Sequence, residues 1–520
     1  MMIPVIAAST TPLVIIGAYL LLLMGLALFS RTLFRGTSTD YFVASRSIGP
    51  FMLLMSVFGT TMTAFALVGS TGKAFERGVG TYGLMASSSG LIHAACFFLI
   101  GIKLWSFGKK YGYVTQIQFF RDRFESRGFG YLLFPILVLL VIPYLLIGVI
   151  GASKTIMGVS GAKGPNKEIP GMFPDFFSST HGAVPAWLTG AVVCLVVLCY
   201  IFAGGSRAAA WANTFQTIVF MCMGLLAFYL ISDKLGGLSA AIQQAKQSHL
   251  VRTVSGEEGE VGVPPLMFLT YMLIPLSVGM FPHLFQHWLT ARSAKSFRLT
   301  VIAHPLCIMV VWVPCVLIGL WATGQLPAGT PGGAVLARTV GILVKDPVVV
   351  GLVTAGVLAA IMSSLDSQFL CLGTMFTNDI VLERCGRERF SDKQIILIAR
   401  LFVVSIVLLT YILSLVLFDK SVFDLAVWSF SGFASLTPLV FAALYWKGAS
   451  KAGAFASVIA SMSVWLYFFK QSGWGGEYTV LNGVMPVAFS FGAGLLAMLI
   501  VSSFTRKPKV ETINKFFPDL

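Results

Sequence analysis

Apolar runs near residues 12–30, 50–70, 82–104, 131–152, 184–203, 211–232, 265–289, 301–322, 348–377, 395–417, 421–446, 452–470 and 481–503 follow one another through almost the whole chain. A helix of about twenty apolar residues crosses the hydrocarbon of a bilayer, so each run is long enough to span it. Backbone N–H and C=O groups at that depth have no water to bond and must pair within the segment. The expected fold is therefore an all-α polytopic membrane protein with about 13 transmembrane helices. With 57% hydrophobic and 11% charged residues and a mean hydropathy of +0.85, a soluble globular chain is excluded. The formal net charge of +15 does not point to nucleic acid, because the bases sit in short clusters between apolar runs with no aromatic-basic stripe.

Those clusters report topology. No base precedes the first run, whereas Arg31 and Arg35 follow it, so it reads as an uncleaved helix with its N-terminus outside. Alternating the connections from there places 22 Lys and Arg inside against 12 outside, which supports thirteen spans with the C-terminus in the cytoplasm. A plasma membrane or bacterial inner membrane is the expected location. Seven of the eight cysteines lie in apolar runs and Cys385 in an inside loop, with no disulfide framework or zinc pattern. They read as small packing residues.

Within the ninth run, Ala359-Ala360-Ile361-Met362-Ser363-Ser364-Leu365-Asp366-Ser367-Gln368 concentrates hydroxyls and a carboxylate where water is absent. Grouping such groups at membrane depth is costly unless they serve a site or pathway. Ser363 and Ser364 project about 100° apart, and the Ala360 carbonyl lies one turn earlier, so their oxygens can face one cavity. That makes a hard-oxygen cage suited to a small alkali cation; the competing reading has each serine bonding back to its own helix.

Two spans are interrupted in the middle. Ser56-Val57-Phe58-Gly59-Thr60-Thr61-Met62-Thr63 sets glycine and hydroxyls in the second, and unwinding there would free the carbonyls of Gly59 through Met62. Packing of a continuous helix through small residues is the alternative. Five spans later, Ile274-Pro275-Leu276-Ser277-Val278-Gly279-Met280-Phe281-Pro282-His283 breaks the seventh. Paired broken spans in corresponding positions point to a transporter of inverted repeats. The expected division is 1–49, the first helix and an inside loop; 50–232, the first repeat of spans 2–6; 233–264, an outside loop carrying Glu257, Glu258 and Glu260; 265–446, the second repeat of spans 7–11; and 447–520, two peripheral helices and a short basic tail able to contact anionic lipid. Residues 112–124 read as an amphipathic segment on the inner interface.

Several stretches in this order resemble the sodium:solute symporter family: Tyr41 to Pro50, Gly69-Ser70-Thr71-Gly72-Lys73-Ala74-Phe75 with Gly78, Ala203-Gly204-Gly205-Ser206-Arg207 leading to Gln216, Pro282-His283 with Thr290-Ala291-Arg292, and Ala360 to Gln368 with Asn378-Asp379-Ile380. The resemblance covers spans 2 to 11. It implies a LeuT-like core of two inverted five-helix repeats and alternating access around a midplane site. It also implies a sodium site of Gly59, Met62 and Ala360 carbonyls with Ser363 and Ser364 hydroxyls. In several branches a Thr-Asp pair follows the glycine pair and supports a second cation or a proton route. Here that pair is Ala212-Asn213, whose neutral amide implies one sodium per cycle.

The expected activity is sodium-coupled symport of a small organic solute by a monomeric unit in the bilayer, with sodium as coupling ion and no organic cofactor. Candidates to line the solute cavity are Thr60, Thr63, Phe65, Ser88, His93, Tyr271, Ser277, Phe281, His283, Ser429, Ser431 and Ser435, each weighed against ordinary helix packing. Asp366, Asn213 and Gln216 are expected to support the site, with Asp366 pairing Arg400. Aromatic positions of the proline branch become Ile274 and Val278, which implies a different pocket. The scarcity of core carboxylates favours a carboxylate, amino acid or related solute over an organic cation. A sodium-independent uniporter, or a solute sensor built on a symporter-like module, is the alternative. His283 and His287 have metal-ligand spacing, but Leu284 replaces a general base and no third ligand follows, which disfavours a metalloenzyme.

Overall fold

The computed structural model describes residues 9–32, 34–161, 171–250 and 262–517. Lys163, Lys167, Arg252, Glu257, Glu258 and Glu260, which enter the topology and loop expectations above, lie outside the described residues. In chain order the helices are α1 (Thr11–Thr32), α2 (Ser38–Val43), α3 (Pro50–Thr61), α4 (Phe65–Arg77), α5 (Gly80–Tyr111), α6 (Gln116–Arg123), α7 (Arg127–Ser160), α8 (Ala186–Lys234), which a short helix at Leu238–Gln244 follows, and α9 (Pro265–Gly279). They continue with α10 (Pro282–Thr290), α11 (Ala294–Ala322), α12 (Gly332–Leu343), α13 (Pro347–Cys385), α14 (Asp392–Val416), α15 (Val422–Tyr445), α16 (Lys451–Gln471), α17 (Pro486–Phe504) and α18 (Val510–Phe516).

Among the described residues, 10 of these are long and apolar enough to cross a membrane alone, and the bent pairs α3–α4 and α9–α10 raise the number to 12. The sequence expectation of thirteen differs by α8 alone. At 49 residues it is more than twice the length a bilayer core needs, and it turns at Gly204 (φ −155°, ψ 15°) and Gly205 (φ 56°, ψ −138°). A Cβ on Gly205 would stand 2.4 Å from the Tyr41 carbonyl oxygen, so the turn depends on glycine twice over, for its dihedral and for its clearance.

The two breaks follow from local chemistry. The α3 helix holds through Thr61, and Met62 leaves it with extended dihedrals; α4 then departs at 55°. Pro282 opens α10 at N1, where its missing N–H costs nothing, and α10 departs from α9 at 48°. At the centre, α13 starts at an Asp346 N-cap and Pro347 and is buried along nearly its whole length, with α1, α3, α7, α8 and α14 around it. The outer helices α1, α16 and α17 keep apolar faces exposed, as lipid-facing spans do.

Two peripheral segments pack on the bundle. The segment read as interfacial, α6, is packed into the protein and buries Ile117, Phe119, Phe120 and Arg123. Its Arg123 donates to the carbonyls of Ala443 and Trp446 at 2.9 Å each, capping the last turn of α15. The basic tail docks beneath it: Phe516 is buried against Phe107 and Phe119, and Lys515 pairs with Asp122 at 2.8 Å.

Candidate functional site

Ending α3 at Thr61 leaves the carbonyls of its last turn without the N–H four residues ahead; the final backbone bond runs from Met62 N–H to the Phe58 oxygen. The central helix α13 presents its serines there. Ser363 Oγ donates to the oxygens of Gly59 and Ala360 at 2.9 Å each, and Ser364 Oγ to the Thr60 oxygen at 3.1 Å. Four of the five residues expected at the ion site therefore converge, and the freed carbonyl facing Ser364 is that of Thr60. Met62 makes no hydrogen bond to either serine. A Cβ on Gly59 would meet Thr217 Oγ1 at 2.2 Å, so glycine also sets how closely α3 approaches α8.

The Thr60 side chain turns away from the solute cavity. Its hydroxyl meets Ser367 Oγ at 3.0 Å and His287 Nε2 at 3.3 Å, and His287 Nε2 lies 2.9 Å from Ser367 Oγ. Asn213 sits behind them, its amide nitrogen donating to the Ser363 oxygen at 3.1 Å and to Asp366 at 3.0 Å, its oxygen accepting from Ser367 at 3.0 Å. Asp366 Oδ1 also lies 3.0 Å from Ser367 Oγ, and the one hydroxyl proton serves either acceptor. The expected pairing with Arg400 does not occur: Arg400 donates to the Phe202 carbonyl beside the Gly204-Gly205 turn and lies over the Tyr41 and Phe202 rings. Asp366 has no Lys or Arg partner among the described residues. The Asp366 carboxyl lies 3.0 Å from the Asn213 amide. Gln216 is buried in the same region.

On the other side of the α3–α4 break a cavity opens between the two broken spans. Of the candidates, Phe65, His93, Tyr271, Ser277 and Phe281 line it. Thr61, from the interrupted stretch of the second span, also lines it, as do Ser89, Tyr144, Trp312 and Phe430, which are ordinary residues of apolar runs with no signal in the sequence to aim them. Ile274 and Val278 line it as well.

The remaining candidates are engaged elsewhere. Thr63 accepts from the Phe65 N–H and caps the start of α4. Ser429 bonds the Leu140 carbonyl, Ser431 the Trp428 carbonyl and Ser435 the Ser431 carbonyl, all helix packing. Ser88 is only half-buried, and its neighbour Ser89 takes the lining position. His283 stacks on Phe281 at 5.1 Å, one layer behind the lining. His283 and His287 have different neighbours, and no group of three His, Cys, Asp or Glu able to hold a metal occurs among the described residues.

Toward the side assigned as outer, Lys73 of α4 is buried and paired with Glu477 at 2.8 Å and Asp424 at 3.6 Å, and Arg77 reaches Glu477 at 3.0 Å. Glu477 belongs to the connection between α16 and α17. Burial alone would raise its carboxyl, but Lys73 and Arg77 outweigh burial and hold it below the ordinary glutamate range. Lys73 also lies over the Phe423 ring, which packs on Phe65 at 5.0 Å, so the ion pairs close one edge of the cavity.

Residues 41–163 and 184–461 match the family model for the sodium:solute symporter family. The osmoregulated proline transporter of Bacillus subtilis (strain 168) is 25% identical over 527 residues, covering 96% of this chain and 96% of that protein. A sodium/proline symporter of Staphylococcus aureus is 26% identical over 525 residues, 96% of this chain and 95% of that one. The solved structure of a sodium-coupled sialic acid symporter, substrate-bound and outward-open, superposes with a TM-score of 0.75 over 96% of this chain and 99% of that one at 16% identity. The two chains share a fold, the LeuT-like arrangement of helices.

Proposed function

The chain belongs to the sodium:solute symporter family, and on that premise we propose that it carries a small organic solute across the membrane with sodium, by alternating access. The observation that carries this reading is the meeting of the Ser363 and Ser364 hydroxyls with carbonyls freed where α3 ends. A half-helix C-terminus and hydroxyls of a facing span supply hard oxygens and partial negative charge to a sodium ion. Gly59, Thr60, Ala360, Ser363 and Ser364 are the proposed ligands, with Met62 the residue whose carbonyl could join them by a small shift of the break.

Sodium held there ties α3 to α13 and favours the outward-open arrangement, which binds solute more tightly. Solute binding closes the outer side. Inward opening then releases both, and the potential adds about 2.3 kcal/mol per charge at 100 mV. In this reading 50–232 and 265–446 are the inverted repeats, the N-terminus is outside and the C-terminus inside, and a monomer in the bilayer is the working unit. The protein acts as a carrier, without an organic cofactor or an enzymatic step.

The test is thermal stability of the detergent-purified protein in sodium against potassium at equal ionic strength. A ligand of the folded state at a hundred times its Kd stabilises by about 2.7 kcal/mol, so melting should rise in sodium and not in potassium. Equal melting in both salts overturns sodium coupling and leaves the uniporter or sensor.

A further inference from the structure

His93 of α5 lines the cavity, and its Nδ1 lies 3.1 Å from Nε2 of His304 on α11. A neutral imidazole carries one N–H and one bare nitrogen, so a single proton occupies that contact, and which ring owns it fixes the tautomer of both. The His304 ring is walled by Phe97 at 4.8 Å and Phe58 at 5.4 Å, and its Nδ1 has no hydrogen-bond partner among the described residues. A buried N–H with no acceptor is the rarer and costlier state. His304 therefore keeps its proton on Nε2 and donates it to His93 Nδ1. His93 in turn holds its own proton on Nε2, the nitrogen left for the cavity.

The rest of the lining is rings, aliphatic groups and the hydroxyls of Thr61, Ser89 and Ser277, with those of Tyr144 and Tyr271 turned to the Thr60 carbonyl and the Met85 sulfur, and it holds no Lys, Arg, Asp or Glu. We infer that His93 selects the solute: its Nε2–H donates to the carboxylate of a small monocarboxylate whose apolar body lies among Phe65, Tyr144, Phe281, Trp312 and Phe430. His304 is a positioning residue that sets the His93 tautomer. This assignment rests on the symport reading and names the substrate class of the same cavity. The rings alone would attract an organic cation, but it would find no carboxylate there and would meet an N–H pointed at its charge. A carboxylate gains a charge-assisted hydrogen bond at the same place.

The experiment has two stages, both on the full chain. Thermal stability in sodium is measured with L-proline, propionate and phenylacetate, each against its amide, and with choline. Sodium-driven uptake of the most stabilising carboxylate is then measured in proteoliposomes for wild type, His93→Leu, His93→Gln and His304→Leu. At least one carboxylate should stabilise at about tenfold lower concentration than its amide. His93→Leu should raise KM for the carboxylate about ten- to hundredfold, with the sodium requirement unchanged. His93→Gln, which returns an amide N–H near Nε2, should stay within about threefold of wild type. His304→Leu should narrow the preference for carboxylate over amide while kcat holds within about twofold. Stabilisation by amides equal to that by carboxylates, by choline alone, or by none of the compounds overturns the inference, as does a wild-type KM in His93→Leu. Loss of the sodium effect in solute-free wild type would instead count against the symport reading, so the two failures are distinguishable.

Discussion

At the residue scale the site depends on groups that would be costly to bury for any structural purpose. Asp366 is wholly buried beside hydroxyls and an amide, where its oxygens hold the Asn213 amide and the Ser367 hydroxyl directly behind Ser363 and Ser364. Asp366→Leu, which removes those hydrogen bonds, should weaken sodium binding about tenfold with the helical circular dichroism unchanged; unaltered affinity would show that the carboxyl does not support the site. The serines were legible in the sequence because three hydroxyls and a carboxylate within five residues stand out in an apolar run. The Arg400 pairing differs for a physical reason: its guanidinium donates to the Phe202 carbonyl and lies over the Tyr41 and Phe202 rings instead, and no pattern along one chain shows which partner is nearer. His93 was visible as a mid-span histidine, whereas its partner His304 lies 211 residues further on and meets it only through packing.

At the element scale the breaks and turns carry the mechanism. The sequence marked the second span as interrupted within Ser56 to Thr63, and the structure puts the break at the end of that stretch, at Met62, with Gly59 used for the approach of α3 to α8. What survives is the chemistry, since ending a helix at Thr61 frees the carbonyls behind it. The turn in α8 makes an independent prediction. Gly205→Ala should lower the melting temperature sharply, as an L-residue at φ 56° and ψ −138° costs about 1–3 kcal/mol before the contact with Tyr41 is counted. Gly224→Ala, in the same helix with open space around it, should leave melting unchanged or raise it. Equal effects of the two would refute the role given to the turn. The packing of α6 was not legible, because a short segment rich in Phe and Arg suits a lipid surface and a protein groove alike.

At the scale of the whole molecule, alternating access requires that an edge of the cavity part, and the ion pairs of Lys73 and Arg77 with Glu477 hold one such edge. Glu477→Gln should favour opening, read as several-fold faster labelling of a Phe65→Cys variant by an impermeant thiol reagent, against the same protein without that cysteine. The pH dependence has a definite sign. The folded protein holds the Glu477 carboxyl below its ordinary value, so its contribution to stability is complete above about pH 4.3 and fades as pH falls through the lowered value. The melting difference between wild type and Glu477→Gln should therefore be present at neutral pH and vanish in acid. A pairing across 404 residues, supplied by the connection of two peripheral helices, could not be read from the chain.

The ion site itself is tested most directly by equilibrium binding of radioactive sodium to the purified protein, wild type beside Ser363→Ala. Removing one hydroxyl that bonds the Gly59 and Ala360 carbonyls should cut affinity by at least about tenfold while melting in potassium stays within a few degrees of wild type. Saturable sodium binding of equal strength in both proteins would contradict the assignment of the site to the meeting of α3 and α13.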